Sequence, residues 1–180
     1  MKIALIGVTG RVGSRLRLSF CPVATPLPES RCTSRPTSAP ALRSCRPMRR
    51  IQTLLRRHVV GHDAVISTSR FVTLDADALV SAVKTAGVKR LLVVGGAGSL
   101  EVAPGKALMD TDGFPEAFKA EAKAGARFLE RLRAEPDLDL TFLSPSADFT
   151  PGERTGHFRL GGDQLLRDAQ GKSHIYRDGR

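Results

Sequence analysis

No apolar run in this 180-residue chain approaches the roughly 18–20 residues that a membrane helix requires, so no bilayer span is expected. The opening Met1-Lys2 before Ile3-Ala4-Leu5-Ile6-Gly7 imitates a signal peptide, but the apolar stretch stops at Gly7 and no cleavage site follows. A cytoplasmic location is expected. Cysteine is scarce: Cys21, Cys32 and Cys45 form an odd set whose wide spacings match no zinc-ligand pattern. They read as unrelated free thiols, and no metal is expected. Acidic residues are scarce only locally. Between Ser19 and Arg57 stand eight Arg, no Lys and one acid, Glu29, so +7 of the formal charge of +10 sits in that segment. The rest of the chain has the charge balance of an ordinary enzyme domain. Phe20 is the one aromatic residue among those arginines, which argues against base stacking and a nucleic-acid partner.

What is present alternates between two periodicities. Residues 2–7 form a short apolar run, as a strand buried on both faces should. A glycine-rich turn follows, then helix-compatible spacing over residues 11–18. From Ser19 to about Met48 no pattern survives, and six prolines (22, 26, 28, 36, 40 and 47) forbid a long helix or a central strand. Order resumes near Ile51, where Leu54 and Leu55 fit a short helix. Residues 63–68 read as a second buried strand. Residues 75–86 read as a helix with Leu79, Val80 and Val83 on one face and Gly87 as its stop. Residues 90–96 are the clearest strand, and a loop is expected from there to Gly113. The longest helix is expected over 115–134, between Pro115 and Pro136, with Phe118, Phe128, Leu129 and Leu132 as its core stripe. A strand over 138–143 ends before Pro145, and the tail carries strand-like pieces at 157–160 and 173–176.

Nearly all-apolar strands alternating with helices predict an α/β fold: a Rossmann-like, doubly wound parallel sheet in a single domain over residues 1–180. One unit is missing from that rhythm. Between the first helix and the strand at 63–68 such a sheet needs a strand, a helix and another strand, and residues 19–57 have the length but not the composition. That segment therefore reads as irregular and its β-α-β unit as disrupted.

The informative stretch is Gly7-Val8-Thr9-Gly10-Arg11-Val12-Gly13, a G-x-x-G-x-x-G placed between strand and helix. Such a turn needs positive φ or close backbone approach, which glycine permits at least cost. The helix start then offers free N–H groups and partial positive charge to a pyrophosphate. Gly13 would let helix and strand pack closely. A purely structural turn is the alternative, and the strand before and helix after it favour dinucleotide binding.

With GVTGRVGSRL, HDAVIST, KRLLVVGGAGSLEVAPG, FPEAFKAEAKAGARFLERLR, LTFLSPSADFTPGERTG and FRLGGDQLL, the chain resembles the atypical short-chain dehydrogenase/reductases. Within them it is most similar to the NADH-flavin reductase group related to NmrA-like proteins. The resemblance covers residues 1–17 and about 60–175. It implies an NAD(P)H cofactor, with Gly7, Thr9, Gly10, Arg11, Val12 and Gly13 on its pyrophosphate side. Ser67 and Thr68 would border the adenosine or ribose. Gly95, Gly96 and Ala97 would line the nicotinamide cleft, and Ser144 and Pro145, with Ser146, would flank the carboxamide. The implied activity is hydride transfer to a small-molecule acceptor: a flavin (FMN or FAD), a quinone or a small carbonyl compound. Two rivals stand beside it, a regulatory protein of NmrA type that binds the cofactor without turnover and an inactive frame-shifted product.

The sequence departs from that family in three places. Short-chain dehydrogenases use a Tyr-x-x-x-Lys pair in which the lysine lowers the pKa of the acidic tyrosine. Here the helix carries Phe118 and, four residues on, Ala122, while the chain's one tyrosine, Tyr176, lies in the tail. No catalytic acid is assigned; Ser99 is the nearest hydroxyl, in a glycine-rich loop where serine also serves simply as a turn residue. The second departure is residues 19–57, whose Arg, Pro, Ser and Cys content is what an alternate frame of a GC-rich gene encodes. A local frame shift is expected there, with a disordered basic insertion as the alternative. Third, the chain closes soon after Tyr176, where family members continue with a helix and a strand, so a truncated C-terminus is expected.

Overall fold

The structure, a computed structural model, describes residues 1–20, 47–153 and 155–178. In chain order the elements are β1 (Ile3–Ile6), α1 (Gly13–Phe20), α2 (Pro47–Val59), β2 (Ala64–Ser67), α3 (Ala76–Thr85) and β3 (Arg90–Val94). There follow β4 (Glu101–Ala103), β5 (Lys106–Ala107), α4 (Glu116–Arg133), β6 (Asp139–Leu143), β7 (Asp148–Gly152) and β8 (His174–Asp178). Four strands form one parallel sheet in the order β1-β2-β3-β6. Ile3 stands beside Ala64, Ala64 beside Arg90, and Arg90 beside Asp139. This is the Rossmann-like α/β architecture that the apolar strands imply.

Burial explains why those strands read as they do. All four residues of β2, Ala-Val-Ile-Ser, are buried, as expected of a strand with a neighbour on each side and cover on both faces. In β3, Leu91 and Val93 are buried and their neighbours less so. They join Val59 of α2, Leu79, Val80 and Val83 of α3, and Phe128 and Leu132 of α4 in one core. Asp75 caps α3 by accepting a 2.9 Å hydrogen bond from the Ala78 N–H, and Gly87, at φ +74°, stops it. At the far end of the same helix Lys84 Nζ reaches Glu135 at 2.8 Å and Asp137 at 2.6 Å, which ties α3 to the turn after α4. The hydrogen bonds that Lys84 donates to Asp137 and then to Glu135 hold its pKa above its ordinary value. The hydrogen bond from Lys84 in turn lowers both carboxylates.

Several expectations need correction. Helix α2 begins at Pro47, so residues 47–57 of the segment read as irregular are helical; proline suits a first helical turn, where its missing N–H has no partner to lose. Residues 21–46, which hold all three cysteines and the place of the expected second β-α-β unit, lie outside the described residues. Among the described residues β1 pairs with β2 alone. The loop expected up to Gly113 contains the β4–β5 hairpin, turned at Gly105 with φ +72°. The chain resumes a strand beyond Pro145, because β7 finds a parallel partner in β8. The piece at 157–160 forms no strand; Phe158 and Leu160 are exposed there. In the α4 stripe Phe128 and Leu132 are buried as expected, whereas Phe118 is 63% exposed.

Candidate functional site

The glycine turn follows β1 at its carboxyl end, and each glycine has a distinct geometric task. Gly7 adopts φ +84°, a left-handed conformation that only glycine takes cheaply. A Cβ on Gly7 would stand 2.8 Å from Thr68 Oγ1 and 2.9 Å from the Ser69 nitrogen. A Cβ on Gly13 would overlap the Gly7 carbonyl oxygen and lie 2.7 Å from Thr68 Oγ1. Gly10 is looser, its hypothetical Cβ 3.2 Å from the Gly7 oxygen. Thr68, just past β2, clasps the turn from outside. Its hydroxyl lies 3.0 Å from both the Ile6 and Gly7 carbonyl oxygens, and its N–H donates to Ile6 at 2.9 Å. The Gly10 N–H donates to the Gly7 oxygen at 2.9 Å.

The backbone N–H groups of Arg11, Val12 and Gly13 find no acceptor among the described residues. No acidic side chain occupies the first turn of α1. Unpaired N–H groups at a helix start, with no protein carboxylate to satisfy them, fit an anionic group such as a pyrophosphate.

Two cavities border the carboxyl ends of β3 and β6, and the larger also extends along β6 to Leu140 and to Leu132 and Arg133 of α4. The larger, about 670 Å³, is walled by Val12, Val94, Ser99, Ser144, Pro145 and Phe149, among others, and most of its lining is apolar. The smaller, about 250 Å³, is bounded by Gly96, Ala97, Ser99, Phe71, Phe114 and Phe118 among others. Ser99, in the short 3-10 turn Ala97–Ser99, belongs to both walls. This arrangement follows the rule that ligands of parallel sheets bind beyond the carboxyl ends of the strands.

The expected site residues thus fall into three groups. Gly7, Gly10, Gly13 and Thr68 meet in the turn, with Thr68 acting as its brace. Val12, Ser99, Ser144 and Pro145 meet in the larger cavity, and Gly96, Ala97 and Ser99 in the smaller. Thr9 and Arg11 are exposed on the turn and line neither cavity. Ser67 is only 2% exposed, inside β2. Gly95 serves packing: a Cβ would overlap the Phe142 ring, and its N–H donates to Leu143 at 2.8 Å.

Other lining residues come from segments to which the sequence reading gave no role. The stretch after Leu160 docks beside β4, where the Glu101 N–H donates to Asp163 and the Leu165 N–H to Glu101, both at 2.8 Å. Arg133 of α4 holds the same stretch through Asp163 at 2.6 Å. This stretch belongs to FRLGGDQLL, a motif that carries part of the resemblance. Phe71 is fixed by its N–H, which donates to Glu121 at 2.6 Å, and by ring contacts with Phe128 and Phe142. The groups with shifted pKa values, Lys84, Arg131, Glu135 and Asp137, line neither cavity; they serve the scaffold.

A parallel sheet bearing a glycine turn at its carboxyl ends defines a Rossmann-like α/β domain. Residues 50–176 match the family described as NAD(P)H-binding, and the chain belongs to that family. The match reaches back to residue 50, further than the point near 60 where family-like sequence was expected to return. Among curated relatives, the uncharacterized protein YwnB of Bacillus subtilis (strain 168) is 45% identical over 101 residues, 54% of this chain and 47% of YwnB. The chain therefore spans about half the length of that relative. A Burkholderia pseudomallei protein named "Putative exported protein" superposes with a TM-score of 0.74 at 36% identity, covering 99% of this chain and 89% of that one. A "putative NADH-flavin reductase" from Streptococcus pneumoniae TIGR4 gives 0.70 at 28% identity, covering 98% and 87%. Among the described residues no helix is long and apolar enough to cross a membrane, and no cluster of potential ligands could hold a metal ion.

Proposed function

We propose that the chain, taken as one domain over residues 1–180, is an NAD(P)H-dependent oxidoreductase that passes hydride to a flavin, a quinone or a small carbonyl compound. The observation that carries this reading is the junction at Val12, which belongs both to the glycine turn and to the wall of the larger cavity. Gly7, Thr9, Gly10, Arg11, Val12 and Gly13 hold the pyrophosphate in this reading, and Ser67 and Thr68 stand beside the adenosine ribose. Gly95, Gly96 and Ala97, with Ser144 and Pro145, border the nicotinamide. When bound, the cofactor supplies the hydride. The protein's own work is then to position two ring systems, to neutralise phosphate charge with backbone N–H groups, and to keep water out with apolar walls.

No tyrosine–lysine pair stands in this site; Phe118 and Ala122 line the smaller cavity where that pair would be expected. An acceptor that takes hydride without a protein acid, such as a flavin, suits these walls better than a simple ketone. In this reading Ser99, which lines both cavities, donates a hydrogen bond to such an acceptor. Steady-state NADPH oxidation with FMN tests the reading, and it is expected to proceed and to fail in Gly10→Val. The absence of an acid also favours a second reading, a cofactor-sensing regulator. Stoichiometric NADPH binding without oxidation by any flavin, quinone or carbonyl compound would establish that one instead.

A further inference from the structure

Beside the larger cavity lies a recess of about 310 Å³ whose walls include His157, Arg159, Arg167, Lys172 and His174. The two spaces adjoin: Ser146, Phe158, Arg159, Leu166 and Ile175 line both. Arg159, Arg167 and Lys172 form no ion pair among the described residues, whereas Arg133, on the wall of the larger cavity, is paired with Asp163. Arg159 donates to the Arg167 carbonyl oxygen at 2.7 Å, which orients its guanidinium without cancelling its charge. The one carboxylate in the recess, Asp168, is already engaged. It accepts from the Gln170 N–H at 2.9 Å and the Lys172 N–H at 2.8 Å, and its other oxygen lies 3.5 Å from His174 Nδ1. Three cations against one occupied carboxylate leave an excess that matches a phosphate monoester, which carries about −1.5 to −2 at neutral pH, better than a single carboxylate.

We infer that this recess is an anion subsite for a phosphate monoester on the hydride acceptor, whose ring occupies the adjoining larger cavity. The inference rests on the oxidoreductase reading for the word acceptor, but its test does not depend on turnover. Riboflavin and FMN share a ring and differ by the phosphate. Quenching of flavin fluorescence, measured without NADPH, is expected to show FMN binding at least about tenfold tighter than riboflavin, the scale of charge-assisted hydrogen bonds. That gap should shrink as salt is raised, since the recess is open to solvent. Inorganic phosphate should compete with FMN and not with riboflavin.

The double variant Arg167→Gln/Lys172→Gln, with its thermal transition checked, should bring FMN down to the riboflavin level. Equal affinity of the two flavins, or binding of neither, overturns the subsite. The recess could instead receive a phosphate of the cofactor. In that case the double variant would weaken NADPH relative to NADH and leave FMN unaffected, which also overturns the inference. Preferential FMN binding without NADPH oxidation would leave the subsite standing and remove the oxidoreductase reading. Oxidation at equal KM with both flavins would do the reverse.

Discussion

Gly13→Ala adds a single methyl group at the tightest point of the glycine turn. The new Cβ would overlap the Gly7 carbonyl oxygen and sit 2.7 Å from Thr68 Oγ1. That oxygen cannot swing aside as a flexible side chain could. It accepts from the Gly10 N–H at 2.9 Å and lies 3.0 Å from the Thr68 hydroxyl, so moving it disturbs both contacts. Helix α1 must therefore lift from β1. Overpacking of this kind costs about 1–3 kcal/mol. Alanine returns part of that through helix propensity, at most about 1 kcal/mol and less at a first helical position. The steric term wins, leaving a net loss of about 1–2 kcal/mol. For a domain of this size the thermal midpoint should fall by roughly 2–8 °C. Urea unfolding followed by circular dichroism should show a lower midpoint at unchanged slope. Gly96→Ala is the control: nothing lies within 4 Å of its hypothetical Cβ and its φ is −135°, so it should be neutral. A Gly13→Ala protein as stable as the parent would refute the close-packing argument.

Gly10→Val should remove most NADPH affinity in calorimetry, because its side chain fills the approach to the turn; its Cβ would stand 3.2 Å from the held Gly7 oxygen, a tight contact that should also lower the thermal midpoint. Unchanged affinity would detach the cofactor from this turn. Lys84 lowers the pKa of Glu135 and Asp137, so their contribution to stability is present above about pH 4, the ordinary carboxylate range, and fades as pH falls through the lowered values. The raised Lys84 pKa contributes below about pH 10.4 and fades as pH rises through it. Lys84→Met should flatten the midpoint-versus-pH curve at both ends, and an unaltered curve would count against the cluster. Reading codons 19–57 in an alternate frame should yield a strand-helix-strand pattern with fewer Pro and Cys; if neither frame does, the segment is a true insertion.

The sheet was legible in the sequence because its strands are buried on both faces, which writes burial directly into composition. Ala64-Val65-Ile66 and Leu91-Leu92-Val93 could be read in isolation, and Leu79, Val80 and Val83 revealed their face of α3 by spacing alone. The paired strands outside the sheet could not be read this way. Strand β7, Asp148–Gly152, is polar, contains Pro151, and exists through its pairing with β8 more than twenty residues later. Periodicity cannot report a partner at that distance. Helix α2 was hidden differently. Its arginines blend into those before it, and among the residues of α2 whose burial is described only Leu55 and Val59 join the core.

The candidate site divides along the same line. The glycine turn is local, since its conformation and its free N–H groups arise within seven residues, and a spacing motif captures it. Even there the part Thr68 plays as a brace is not legible, because a bond across 61 residues leaves no trace in either segment. The cavities are non-local throughout. Phe118 illustrates the consequence. Helical spacing puts it in the core stripe of α4, yet it is exposed and lines the smaller cavity, because the first half of α4 packs on the 97–99 turn through Ala122 and only its second half brings Phe128 and Leu132 to the core. A helix whose first half packs on such a turn presents to a cleft the same positions that its later turns present to the core. Apolar periodicity is identical in the two cases, so a stripe on such a helix identifies its face but not where along its length the core ends and the site begins.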